Sequence, residues 1–202
     1  MGSCISQEIF YGLSPDDQPI EKILYHGSPI DIKDDNLLVH SNKLIDRPVL
    51  FVSEKKWLAL CYCNKKWNNN EIRIGVINNN PIILELKEGS FQTYFKKNSG
   101  FLYKLENNGQ FQGYFSLGFR GTEWISSKNQ KIIDKYYILD IWNALRLEEI
   151  DGEVILIKYN TNARRYNYYK EILLGNKILS NKESFGDERS IEAGASYRNE
   201  NF

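Results

Sequence analysis

Short apolar runs of strand length, separated by asparagine- and glycine-rich breaks, confine this chain of 202 residues to a β-rich fold. Runs of this kind lie at 22–25, 49–53, 71–77, 82–86, 111–117, 122–126, 131–138 and 153–159, and each is expected to form a strand. The breaks carry turn chemistry: Asn78-Asn79-Asn80-Pro81, Asn107-Asn108-Gly109 and Asp151-Gly152. Three stretches have helical spacing instead. In "SEKKWLALCYC" Ser53 is the expected N-cap, and Trp57, Leu58, Cys61 and Tyr62 share one face. "LDIWNALRLEEI" places Ile141, Leu145 and Ile150 on a stripe, and "YNYYKEILLGN" closes at Gly175 near a C-cap position. Many short strands with few helices predict an α+β domain built mostly of antiparallel sheet.

The length suits one domain over residues 21–179, with a tether at 1–20 and a polar, aperiodic tail at 180–202. Such a domain can bury about 70% of its unfolded surface without a metal or disulfide staple. Lys and Arg number 26 and Asp and Glu 26, with no basic block, which argues against a nucleic-acid partner. Cys4, Cys61 and Cys63 suit neither a disulfide framework nor zinc spacing, so no metal is expected and the setting is read as reducing and cytoplasmic. Cys61 and Cys63 read as small buried residues, and His40 as structural or exposed.

The first residues, "MGSCIS", fit the pattern for N-myristoylation at Gly2, with Ser6 at the position that wants Ser or Thr. One myristoyl chain binds a bilayer with a constant of only about 10⁴ per molar, so a stable anchor needs a second signal. Cys4 is placed to supply it by palmitoylation. The expectation is a chain held at the cytoplasmic leaflet of a membrane; the competing reading is a chance match.

Three pieces recur in order: "LYHGS", "LFVSEKKWLALCY" and "GTEWISSKNQKIIDKYYI". Each sets a polar or aromatic residue at or just past the end of an expected strand, where a sheet opens and ligand groups collect. Singly, His26 reads as a turn residue, Tyr62 as a core aromatic and Glu123 as an exposed strand carboxylate. Their order makes a site of them.

In that order the pieces resemble the ADP-ribosyltransferases of the diphtheria toxin and poly(ADP-ribose) polymerase type, over about residues 24–139. The resemblance implies split antiparallel sheets around an NAD cleft, with NAD as co-substrate. It implies that Gly27 offers backbone N–H and C=O to the nicotinamide carboxamide, since without a Cβ it allows close approach. His26 would bind a hydroxyl of the adenine ribose, and Ser28 would add a hydroxyl bond. Phe51 and Tyr62 would stack on the nicotinamide ring. Glu123 would bind the 2′-hydroxyl of the nicotinamide ribose and stabilise positive charge growing on that sugar, an interaction stronger in the transition state than before it.

The chain departs from the family's pattern in places. Phe51 stands for a strand tyrosine, and Ala59 for a serine that bonds the carboxamide in many members. Gly121 replaces the first carboxylate of the Glu-x-Glu pair that marks arginine-modifying enzymes. The related RNA 2′-phosphotransferases use arginines around the first histidine, and Arg47 and Arg120 match them poorly. The expected activity is therefore transfer of ADP-ribose from NAD to a macromolecular acceptor other than arginine, or NAD hydrolysis. The rivals are a non-catalytic NAD or ADP-ribose binder and a lipid-anchored structural protein with a vestigial cleft.

Overall fold

The computed structural model describes residues 12–14, 17–42, 45, 47–64, 69–78, 80–115 and 123–174. Strands β1 Gly12–Ser14, β2 Ile23–Ser28, β3 Asn36–Leu37, β4 His40–Asn42 and β5 Arg47–Val52 precede helix α1 Lys56–Cys61. Strands β6 Ile72–Ile77 and β7 Asn80–Glu85 form a hairpin, entered with Asn78 in the left-handed region at φ 50°. Helix α2 Ser90–Tyr94 follows, then β8 Gly100–Glu106, β9 Gln112–Phe115, β10 Glu123–Ser126 and β11 Gln130–Ile138. The last described elements are α3 Ile141–Ile150, β12 Ile155–Ile157 and α4 Arg164–Leu173.

The strands assemble into a five-stranded sheet in the order β1-β9-β10-β5-β4, a four-stranded sheet β2-β8-β11-β3 and a three-stranded sheet β12-β7-β6. Every described pairing is antiparallel except that of β12 with β7. The architecture is therefore mixed α+β with mostly antiparallel sheet, as the short apolar runs predict. The first two sheets meet at one point, where Tyr25 and Ser53 exchange both backbone hydrogen bonds at 2.7 and 2.8 Å. Beyond that bridge they part.

Leu24, Leu50, Val52, Tyr103, Leu105 and Trp124 close a core between these two sheets. Burying each large side chain there contributes on the order of 1.5–3 kcal/mol. A second core gathers α1, α2 and α3 over β6 and β7 through Trp57, Leu60, Ile74, Phe91 and Leu145. Helix α4 closes a third, with Tyr166 and Tyr168 against Ile82 and Leu84.

Several expectations change. Strand β2 does not stop at Tyr25 but runs through His26 and Gly27 to Ser28, because its partner β8 pairs with it as far as Ser28↔Phe101. Strand β8, the middle of that sheet, lies in a stretch read as having no element. Helix α1 starts after Lys55 rather than at Ser53 and is buried on all sides from Trp57 to Cys61, so it has no polar face. Asp140 caps α3 by accepting the Asn143 N–H at 3.1 Å, but Ile150 leaves the expected stripe and is 59% exposed. The expected tether is entered by the sheet: β1 pairs with β9, and Asp17 O accepts the Gly113 N–H. Gly2, Cys4, Arg120, Gly121, Gly175 and the tail at 180–202 lie outside the described residues. No helix among the described residues is long and apolar enough to cross a membrane.

Candidate functional site

Strand alternation decides which groups meet at the parting of the sheets. Tyr25 directs its backbone N–H and C=O to Ser53, so Gly27, two residues on, directs its own to the same side. The Cα of Gly27 faces α1. A Cβ built there would lie 1.8 Å from the carbonyl oxygen of Ala59 and 3.0 Å from the backbone nitrogen of Cys63. Gly27 is thus required first by the seat of the helix. Neighbouring Gly100 on β8 has the same function, with a Cβ falling 1.8 Å from the Cys63 carbonyl oxygen. Small residues on two paired strands let the end of α1 lie directly on the backbone, and Tyr62 is the C-cap of that helix.

That placement carries the Tyr62 hydroxyl to Glu123, where it donates to Oε1 at 3.4 Å. Glu123 opens β10 and is buried, 6% exposed. Burial pushes its carboxyl up to about 7, against the Tyr62 hydrogen bond, which acts to lower it. Burial also pushes the Tyr62 phenol well above its ordinary range, with the charge of Glu123 as the next cause. A carboxyl that is close to half ionised at neutral pH is suited to take or give a proton.

His26 reaches the seam from the reverse face of β2, the face it shares with Leu24. Its Nδ1 lies 2.7 Å from the carbonyl oxygen of Phe51. A carbonyl only accepts, so Nδ1 carries the hydrogen and donates. Burial lowers the imidazole pKa, the Phe51 carbonyl raises it, and His40 lowers it. The ring is therefore neutral at pH 7, with Nε2 left as an acceptor suited to a hydroxyl donor. In addition, the imidazole takes up the Phe51 carbonyl on the edge of β5 away from β10, between the pairing of Val49 with β4 and the bridge of Ser53 to Tyr25. Replacing His26 by Ala strips the Phe51 carbonyl of that donor and should cost about 1–3 kcal/mol in a denaturant titration. His26→Asn keeps an N–H near the Nδ1 position and should recover most of the loss.

The register of β9, β10 and β5 pairs Glu123 with Tyr114 and Ile125 with Phe51. All four side chains lie on one face. The Phe51 and Tyr114 rings meet edge to face, centroids 5.3 Å apart. His40 pairs with Val49 on that face, so the two histidines of the chain approach one another. This was not legible in a sequence where nothing pairs with His40. Tyr114 was missed for the same reason: its neighbours come only from the register.

Of the residues singled out in the sequence, Tyr62 and Glu123 are in direct contact, and His26 and Phe51 join through the Phe51 backbone. Ser28, expected to present its hydroxyl to a ligand, is buried and its Oγ accepts the Ile30 N–H at 3.1 Å, which shapes the turn after β2. Ala59 is buried, and its carbonyl rests on Gly27. Cys61 and Cys63 are free and buried; burial pushes the Cys63 thiol up to about 12, which keeps it protonated and inert. Among the described residues no group of three or more His, Cys, Asp or Glu side chains is arranged to hold a metal ion. The chain matches no family model, no curated protein and no solved structure.

Proposed function

We propose that this chain is an NAD-dependent ADP-ribosyltransferase that releases nicotinamide and passes ADP-ribose to a macromolecular acceptor. The observation that carries the reading is the Tyr62–Glu123 contact beside Gly27, a buried carboxyl and an aromatic hydroxyl meeting where the two sheets part. His26 supports it with a neutral ring whose Nε2 is left to accept from a ribose hydroxyl. Gly27 supports it because its backbone groups turn toward the seam.

In this reading Gly27 holds the carboxamide, Phe51 and Tyr62 flank the nicotinamide ring, and Ser28 keeps the turn that ends the binding strand. Breaking the C1′–N bond sends its electron pair to nicotinamide and leaves positive charge on the ribose. Ionised Glu123 binds the 2′-hydroxyl and faces that charge. The acceptor's lone pair then closes the new bond to C1′, and its proton passes to Glu123. The partners are NAD, the acceptor and, through lipidated Gly2 and Cys4, a cytoplasmic membrane leaflet. A mass spectrum of protein made in eukaryotic cells tests the anchor: an unmodified Gly2 ends it.

Incubating the purified protein with NAD should release nicotinamide, and His26→Asn should weaken NAD binding while leaving the fold intact. A folded protein that neither binds NAD nor releases nicotinamide sinks the proposal. Labelled protein against free ADP-ribose separates transfer from hydrolysis. The second reading, a binder of NAD or ADP-ribose without turnover, is favoured by Phe51 and Ala59, each of which removes a polar group the family uses. It predicts saturable binding with no nicotinamide released.

A further inference from the structure

We propose that Tyr114 is a positioning residue of this site: its ring, closed edge-on against Phe51 above β10, walls the Glu123 carboxyl from water and holds it toward Tyr62. The inference rests on the reading of Glu123 as the site carboxyl, and it stands or falls without reference to turnover. Strands β9 and β5 are next-nearest neighbours with β10 between them, so their backbones are roughly 9–10 Å apart. Their rings nonetheless have centroids 5.3 Å apart, so both lean inward over β10. Beneath them Ile125 is 1% exposed. Tyr114 is also the direct cross-strand partner of Glu123, at a separation where paired side chains touch.

The carboxyl of Glu123 is thus bounded on one side by the hydroxyl of Tyr62 from α1 and on the other by Tyr114 from β9. The facing residues of β5 and β10, Phe51 and Ile125, carry no titratable group. Tyr62 and Tyr114 face it directly, while Arg47 of β5, which donates to Gln112 Oε1 at 3.4 Å, and His40 of β4 lie farther along the same face. Desolvation is the largest cause of the raised carboxyl, and the aromatic pair is the part of the described structure placed to supply it on the sheet side.

A carbonyl-¹³C titration of Glu123, assigned with Glu123→Gln, tests this directly. Tyr114→Phe keeps the ring and should leave the midpoint near its native value. Tyr114→Ala admits water and should lower it by one unit or more. A folded Tyr114→Ala protein with an unmoved midpoint overturns the proposal. Should that variant fail to fold, 3-fluorotyrosine placed at position 114 keeps the volume of the ring. Its ¹⁹F resonance should shift with the midpoint of Glu123 and lose that inflection in Glu123→Gln; no inflection overturns the proposal equally. Nicotinamide release measured on the same samples separates the two claims. A shifted midpoint without any NAD turnover in the native protein retains the role of Tyr114 and removes the transferase.

Discussion

Glu123→Gln should abolish nicotinamide release, by roughly 10²-fold or more, and at the same time make the protein more stable above pH 7. On the proposed transferase reading, the loss follows from removing the carboxylate that would face developing positive charge. The gain follows from burial. The folded carboxyl titrates at about 7 against its ordinary 4.5, so between those values the native state binds a proton that the unfolded chain has released. The stability conferred by the protonated group is complete below that window and falls as pH climbs through it. The full loss is on the order of 3 kcal/mol. Glutamine never ionises, and its side-chain oxygen still accepts from Tyr62. Native and variant proteins should therefore unfold alike near pH 5. At pH 8 the variant should melt higher by several degrees, given about 2–4 °C per kcal/mol for a chain of this size. Nicotinamide release by the native protein should rise with pH through about 7, as the carboxylate forms. A variant that is less stable than the native protein at pH 8 would show that the carboxyl is not desolvated.

The second large effect belongs to Gly27→Ala. The added methyl would lie 1.8 Å from the Ala59 carbonyl oxygen and 2.9 Å from its carbon, and both are backbone atoms that no rotamer change can move aside. Either α1 lifts from β2 or β2 bends away from β8. The cost is expected at the upper end of overpacking, about 3 kcal/mol, which lowers the melting temperature by roughly 6–12 °C. Because Tyr62 caps the displaced helix, the Tyr62–Glu123 contact at 3.4 Å should open and admit water, and the midpoint of Glu123 should fall, since relief of burial, the larger cause, outweighs loss of the hydrogen bond that lowers it. Differential scanning calorimetry and the ¹³C titration check the two halves. Full stability in Gly27→Ala would mean that α1 is not seated on that glycine. Gly89, whose missing Cβ meets nothing within 4 Å, is not a neutral control, since its φ of +82° strains any side chain.

Much of this molecule is legible without coordinates. The runs around Leu50, Ile74, Ile83 and Ile125 are short and apolar and end at turn residues, so each becomes a strand wherever it is placed. The spacing of "LDIWNALRLEEI" marks a helix, to which the structure adds the cap: the Asp140 carboxylate satisfies an N–H that the first turn leaves open. The order of "LYHGS", "LFVSEKKWLALCY" and "GTEW" was enough to nominate His26, Tyr62 and Glu123 together. Strand β8 was overlooked although "FLYKL" sits between Gly100 and Asn107, because a run of five with one lysine competes poorly with longer neighbours.

Local chemistry thus determined which segments become strands, where chains turn and which side chains are capable of binding or proton transfer. It could not determine who faces whom. That Gly27 seats a helix, that Phe51 offers its carbonyl to His26, and that Tyr114 stands beside Glu123 depend on register and on where two sheets part. Those are long-range pairings, and a strand's own residues are the same whichever neighbour it takes. The pKa of Glu123 shows the difference most clearly: the sequence contains a glutamate, and only the burial created by α1, β9 and β5 carries it to about 7.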